Sequence, residues 1–224
     1  MEAGASLHAV EGSSFLGLAL LQSVAILIDG GFVKKALHKR LGRFPTANDV
    51  TALVEQVMKD PALQGLQLYR VFFYDADPFT GSAVNPLSGQ KIIFQNTPQA
   101  RQNLSLIQQL ELRPNFAVRR GVLACHGWKL GRYALKALGA GVKKALTAGD
   151  LVPNFEQKGV DMRVGLDIAS LAIKRLVFGV VLISGDADMI PAMKLARREG
   201  LRVYLDVMKN PVRRDLKVHA DIIL

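Results

Sequence analysis

The sequence predicts an α/β domain with a mostly parallel sheet in a three-layer α/β/α arrangement, and three observations point to it. Short, almost purely apolar runs such as residues 24–28 read as strands buried on both faces. These runs alternate with segments of helical periodicity from residue 24 to the end, the βα rhythm that builds a parallel sheet covered on both sides. The chain has 224 residues, 50% of them apolar, enough for one well-packed domain at residues 23–224.

Residues 1–22 carry Glu2 and Glu11 but no Lys or Arg, and include the apolar run Phe15, Leu16, Gly17, Leu18, Ala19, Leu20, Leu21. A secretory signal needs a basic start and a spanning helix about 20 apolar residues. Neither requirement is met, so the segment is expected to be a tail or short helix that docks on the body, with no membrane involved. Residues 24–28 form a central strand ending in Asp29, Gly30 and Gly31, a tight turn into a helix over 32–40. Thr46, with Asp49 three residues on, makes a variant capping box for a helix carrying Val50, Leu53, Val54 and Val57, which Asp60 and Pro61 stop. A second strand at 66–74 ends in Asp75, Ala76 and Asp77. Residues 79–97 read as a loop with a short apolar piece at 92–94, and Thr97 and Pro98 start a helix through Ile107 and Leu110. A strand at 117–124 leads into a long connection at 127–149. After a loop, Asp161 is placed as the N-cap of a helix bearing Val164, Ile168 and Leu171. The buried strand 179–184 then delivers Gly185, Asp186, Ala187 and Asp188 to a helix over 190–198. Gly200 closes that helix, 201–207 alternates as a strand, and a short final helix holds His219 and Asp221.

Charge gives the first functional direction. The net charge of +10 favours polyanions such as nucleic acid. A single cysteine, Cys125, excludes an intrachain disulfide and a cysteine-cluster zinc site, and suits a reducing cytoplasm. Cys125 and His126 have no metal-ligand spacing to another Cys or His. Residues 112–149 contain no acid, while Arg113, Arg119, Arg120, Lys129, Arg132, Lys136, Lys143 and Lys144 are basic and Phe116, Trp128 and Tyr133 lie among them. Cations neutralise phosphates and aromatic rings stack on unpaired bases, so Lys129, Arg132, Lys136, Lys143, Lys144, Trp128 and Tyr133 are the expected single-strand contacts.

Aspartates give the second direction. Asp29 and Asp186 both stand at the C-terminal ends of strands, the edge where open parallel sheets bind ligands. Asp161 and Asp167 share one helix but are about 120° apart around it, so they need Asp29 and Asp186 to complete any site. Asp75 and Asp77 superficially suggest a phosphatase whose first Asp accepts the phosphoryl group, against a plain Asp-capped turn.

Three segments also carry a resemblance: Ala25, Ile26, Leu27, Ile28, Asp29, Gly30, Gly31, Phe32; then Lys158, Gly159, Val160, Asp161 followed by Asp167; then Leu182, Ile183, Ser184, Gly185, Asp186, Ala187, Asp188. In this order and spacing they resemble the motifs of the NYN domain, the LabA-like branch of the PIN-like nucleases, over residues 24–221. The resemblance implies a Rossmann-like PIN/NYN fold and a metal-dependent ribonuclease site, with Asp29, Asp161, Asp167, Asp186 and Asp188 as its acidic set. The chain departs from many relatives in having Gly31 and Phe32 where they place Asn, and Met189 where they place Phe. Carboxylates without nearby His or Cys suit a hard cation, Mg²⁺ or Mn²⁺. Asp29 and Asp186 are expected to touch it directly or through water, with Asp161 and Asp167 completing the shell or orienting the attacking water. Lys158 is expected at a phosphate, and Ser184 either supports a carboxylate or water or is simply buried. The expected activity is an endoribonuclease acting on RNA, single-stranded RNA favoured and DNA left open. The alternatives are a nucleic-acid-binding or regulatory module of the same fold with little turnover, and a phosphatase centred on Asp75. A homo-oligomer is left open.

Overall fold

The computed structural model describes residues 22–141 and 145–224. The apolar run expected to dock on the body, and the basic pair Lys143 and Lys144, lie outside the described residues.

Strands β1 (Ser23–Asp29) and β2 (Gln67–Ala76) pair in parallel, as do β1 and β7 (Gly179–Ile183). The first half of β5 (Phe116–Leu130) adds in parallel beyond β2, and β8 (Arg202–Asp206) and the short β9 (Ile222–Ile223) add beyond β7. With β6 (Leu151–Lys158) antiparallel to β5, the seven-stranded order is β6-β5-β2-β1-β7-β8-β9.

Alternation along β1 shows how the sequence makes three layers. Val24, Ile26 and Ile28 join a core with Val33 and Leu37 of α1 (Gly30–Leu41), Val50 and Leu53 of α2 (Ala47–Met58), and Leu106 and Leu110 of α3 (Pro98–Glu111). Ala25 and Leu27 face the other way, onto Val164, Ile168 and Leu171 of α5 (Val160–Ile173) and Met193 of α6 (Ile190–Arg198). The chain thus leaves β1 towards one face and β7 towards the other. That reversal opens a crevice at the carboxyl ends of these two adjacent strands, the position at which doubly wound sheets bind ligands.

The structure corrects the expected elements in several places. β5 runs on to Leu130, and its second half pairs with β6, so the start of the expected 127–149 connection and the loop expected after it form a two-stranded ribbon standing beyond the sheet. A helix, α4 (Arg132–Gly139), caps this ribbon. β6 escaped detection because Pro153 and Asn154 break its pattern and its exposed face is charged; an outermost strand tolerates a proline that donates no hydrogen bond. The 79–97 loop contains a hairpin, β3 (Ser82–Val84) with β4 (Lys91–Ile93). The final helix, α7 (Arg214–Val218), ends before Asp221, whose carboxylate accepts from the Val203 amide.

Gly121 marks where β5 leaves the sheet. A Cβ there would sit 2.7 Å from Val160 Cγ2 and 2.8 Å from the Lys158 carbonyl oxygen. Only glycine lets the foot of the ribbon and the start of α5 pack this closely.

Candidate active site

Asp29 closes β1 and caps α1: its Oδ1 accepts from the Phe32 amide at 3.0 Å, satisfying one of the helix's free N–H groups. Its Oδ2 accepts from Ser184 Oγ at 3.0 Å. Ser184, fully buried just after β7, also accepts from the Asp186 amide at 3.1 Å. One serine hydroxyl therefore ties the ends of the two switch-point strands together and fixes Asp29 relative to Asp186. Asp186 Oδ1 accepts from the Asp188 amide, starting the single 3-10 turn at Ala187–Met189.

Asp161 comes from a third element, in the first turn of α5. It is not the N-cap that the sequence suggests; Gly159, with φ 76°, holds that position with no side-chain capping bond. The Asp161 carboxylate is left free of capping. It lines, with Asp29, Asp186, Phe32, Lys35 and Gln157, a cavity of about 420 Å³. Its carboxyl is pushed above the ordinary range, first by loss of water contact and then by the charges of Asp186, Asp188 and Asp29. Asp188 is exposed on the rim.

Two other aspartates are arranged in the opposite way. Asp167 is not brought into the cavity: it accepts from Tyr74 Oη at 2.9 Å and from Arg119 Nε and Nη2 at 2.8 and 3.2 Å. Burial, then the Asp167 charge, pushes the Tyr74 hydroxyl far up, so it stays a donor. Arg119 also lies over the Phe72 ring, 5.2 Å from its centre. Asp75 is 3% exposed and pairs with Lys34 Nζ at 2.5 Å, while Lys34 Nζ also donates to Asn103 Oδ1. Burial pushes the Asp75 carboxyl up, Lys34 pulls it down, and the Asp29 charge raises it again. An enclosed, ion-paired carboxylate cannot reach a substrate phosphorus, which removes the phosphatase centre from consideration.

The acid-free segment is divided by the structure. Arg113 bonds Asn48, Arg119 is held by Asp167, and Arg120 by Glu111 and Asp77, so these three support the fold. Lys129, Arg132, Tyr133 and Lys136 are exposed on the ribbon and its cap, and these cations have no ion-pair partner among the described residues. Trp128 is half-buried, its Nε1 enclosed without an acceptor among the described residues. Lys158 is exposed, 3.6 Å from Glu156, and the pleat of β6 turns both away from the Gln157 face. Lys35 and Gln157 are cavity residues the sequence reading missed. Lys35 sits six residues after Asp29 on the helix that Asp29 caps, a placement the motif itself could have suggested; Gln157 gave no signal while β6 was read as loop.

Acidic side chains at the switch point, opposed across one cavity and flanked by a cationic ribbon on a three-layer parallel sheet, define a PIN-like α/β domain. The chain belongs to the NYN domain family, within the PIN-like nuclease superfamily: the family model "NYN domain" matches residues 97–221. That match includes Asp161, Asp167, Asp186 and Asp188; the fold adds Asp29 from the preceding half. Over 50 residues the chain is 42% identical to the uncharacterized protein y4oD of Sinorhizobium fredii (strain NBRC 101917 / NGR234), covering 22% of this chain and 23% of that protein. No solved structure matches the chain. No helix among the described residues is long and apolar enough to cross a membrane.

Proposed function

We propose that this protein is a metal-dependent endoribonuclease of the LabA-like branch, acting in the cytoplasm on single-stranded RNA. The observation that carries the reading is the convergence of Asp29, Asp161 and Asp186, from three separate elements, on one cavity where burial, and then the neighbouring like charges, push the Asp161 carboxyl up. Oxygen donors alone suit Mg²⁺ or Mn²⁺. Among the described residues no three acidic, His or Cys side chains are close enough to hold an ion directly, so an ion here would be reached in part through its waters. Asp29, Asp161 and Asp186 would hold it, Asp188 adding charge from the rim. When bound, such an ion lowers the pKa of a water and offsets charge on a phosphodiester.

The chain's own residues do the rest. Ser184 fixes the Asp29 carboxylate and the Asp186 backbone, Lys35 offers a cation to a phosphate oxygen, and Gln157 presents an amide across the cavity. Lys129, Arg132 and Lys136 hold the flanking strand. In this reading the Asp167 cluster positions α5 and does not ligate.

Labelled single-stranded RNA incubated with Mn²⁺ tests the proposal. Wild-type protein is expected to cut internally, and Asp186→Asn to lose on the order of a hundredfold or more in rate, several kcal/mol of barrier. Salt-sensitive binding with no cleavage would instead establish the binding module, the reading favoured by the open spacing of the carboxylates.

A further inference from the structure

A second cavity adjoins the acidic one and is of a different character. It holds about 250 Å³ and is walled by Phe79, Phe94 and Phe155, with Lys34, Asn103 and Leu123 also lining it. The three rings pack at 5.0–5.9 Å between centres, in tilted or edge-on pairs. Phe94 is buried, and Phe79 and Phe155 are half-buried, so only part of each ring faces the cavity.

The two cavities draw neighbouring residues from the same two elements, α1 and β6. Phe155 and Gln157 are two apart on β6, so the pleat puts them on one face, about 7 Å from each other along the strand. Leu123 stands opposite Gln157, and Cys125 opposite Phe155, on that same face. After the irregularity between Cys125 and Trp128, the Trp128 pairing with Pro153 restores the same side. One face of the ribbon therefore runs from Gln157 at the acidic cavity, past Phe155, to Trp128. Across from it, α1 supplies Lys35 to the acidic cavity and Lys34 to the aromatic one. Lys34 Nζ is ion-paired with Asp75 and donates one hydrogen to Asn103, so its three-hydrogen ammonium has a further donor for a ligand oxygen.

We propose that the aromatic pocket takes one unpaired nucleobase of the strand whose phosphate lies at the acidic cavity. This rests on the nuclease reading and adds a subsite to it. A volume of 250 Å³ is below the range of drug-sized sites and fits a single planar group. Aromatic walls stack any base, and one lysine donor meets a base carbonyl; the pocket therefore selects unpaired nucleotides, whose rings can swing out, over duplex.

The test uses the full chain carrying Asp186→Asn, so that RNA stays intact, with a fluorescent single-stranded oligoribonucleotide and the same sequence as a duplex. Adding Phe155→Ala is expected to weaken single-strand binding about tenfold and leave duplex binding unchanged. Phe155→Trp is expected to retain binding, and Phe155→Leu, which keeps apolar volume without a ring, to lose most of it. Single abasic sites walked along the oligonucleotide should reveal one position at which the Phe155→Ala penalty disappears. Unchanged single-strand binding in both the Ala and Leu variants, with thermal melts showing them folded, overturns the subsite alone. If the parent protein binds no RNA and wild type cuts none, the nuclease reading falls with it.

Discussion

Two aspartates on α5, six residues apart, differ in what surrounds their charge. Asp167 is held by an arginine and a tyrosine, its negative charge cancelled where it lies. Asp161 faces Asp186, Asp188 and Asp29, with no cation of the chain bonded to it among the described residues. Asp75 repeats the first pattern with Lys34. The difference teaches that neutralisation, more than residue type or position on a strand end, separates carboxylates that hold the fold from those left uncompensated at the cavity. Substitutions on the two sides of this divide should have opposite consequences.

The largest effect on stability is expected at Lys34. Lys34→Met strands the enclosed Asp75 carboxylate, and breaking a buried pair in this way costs about 3–5 kcal/mol. Urea unfolding at pH 7 measures it. The loss should shrink in the double variant with Asp75→Asn; a double variant no better than the single would show that Lys34 acts through packing.

Next comes Asp167→Asn, which weakens charge-assisted bonds to Arg119 and Tyr74 in a half-buried place, at about 1.5–3 kcal/mol. Wild type is expected to gain melting temperature with Mn²⁺, and this variant should keep that gain, because Asp167 lies outside the cavity. A vanished Mn²⁺ gain in this variant would put Asp167 back among the ligands.

The smallest effect, and one of opposite sign, belongs to Asp161→Asn. Its folded carboxyl sits above the unfolded value of about 4, so ionising it costs stability at neutral pH. That cost is complete above the raised pKa and gone once pH falls below the unfolded one. The variant should therefore be slightly more stable than wild type at pH 7, by a few tenths of a kcal/mol, and equal to it near pH 3. It should also lose the Mn²⁺ gain that Asp167→Asn keeps. Destabilisation at pH 7 would refute the like-charge account of this cavity.

The same contrast explains what was legible in the sequence. Apolar runs and helical periods depend on local spacing, so β1, β2, β7, β8 and α1, α2, α3 and α6 could be read to within a few residues of their observed bounds. The switch-point pair Asp29 and Asp186 followed from strand ends alone. Asp167 could not be distinguished from Asp161, because its neutralising partners Tyr74 and Arg119 lie 93 and 48 residues away in sequence. β6 was hidden because an outermost ribbon strand, wet on one side and containing Pro153, lacks the apolar repeat that buries a strand. With it went Gln157 and Phe155, and so the aromatic pocket.

The close contact at Gly121 joins two parts of the molecule into a lever. β6 passes into α5 with Gly159 alone between them, so Asp161 stands three residues beyond the ribbon's last strand residue, Lys158. Gly121 is the fulcrum beneath that junction, with Val160 and the Lys158 carbonyl pressed against it. Because one glycine separates them, a displacement of the ribbon's foot is expected to carry Asp161 with it. In the proposed reading, the part of the chain that would grip a strand and the part that would face its phosphate are separated by a single glycine.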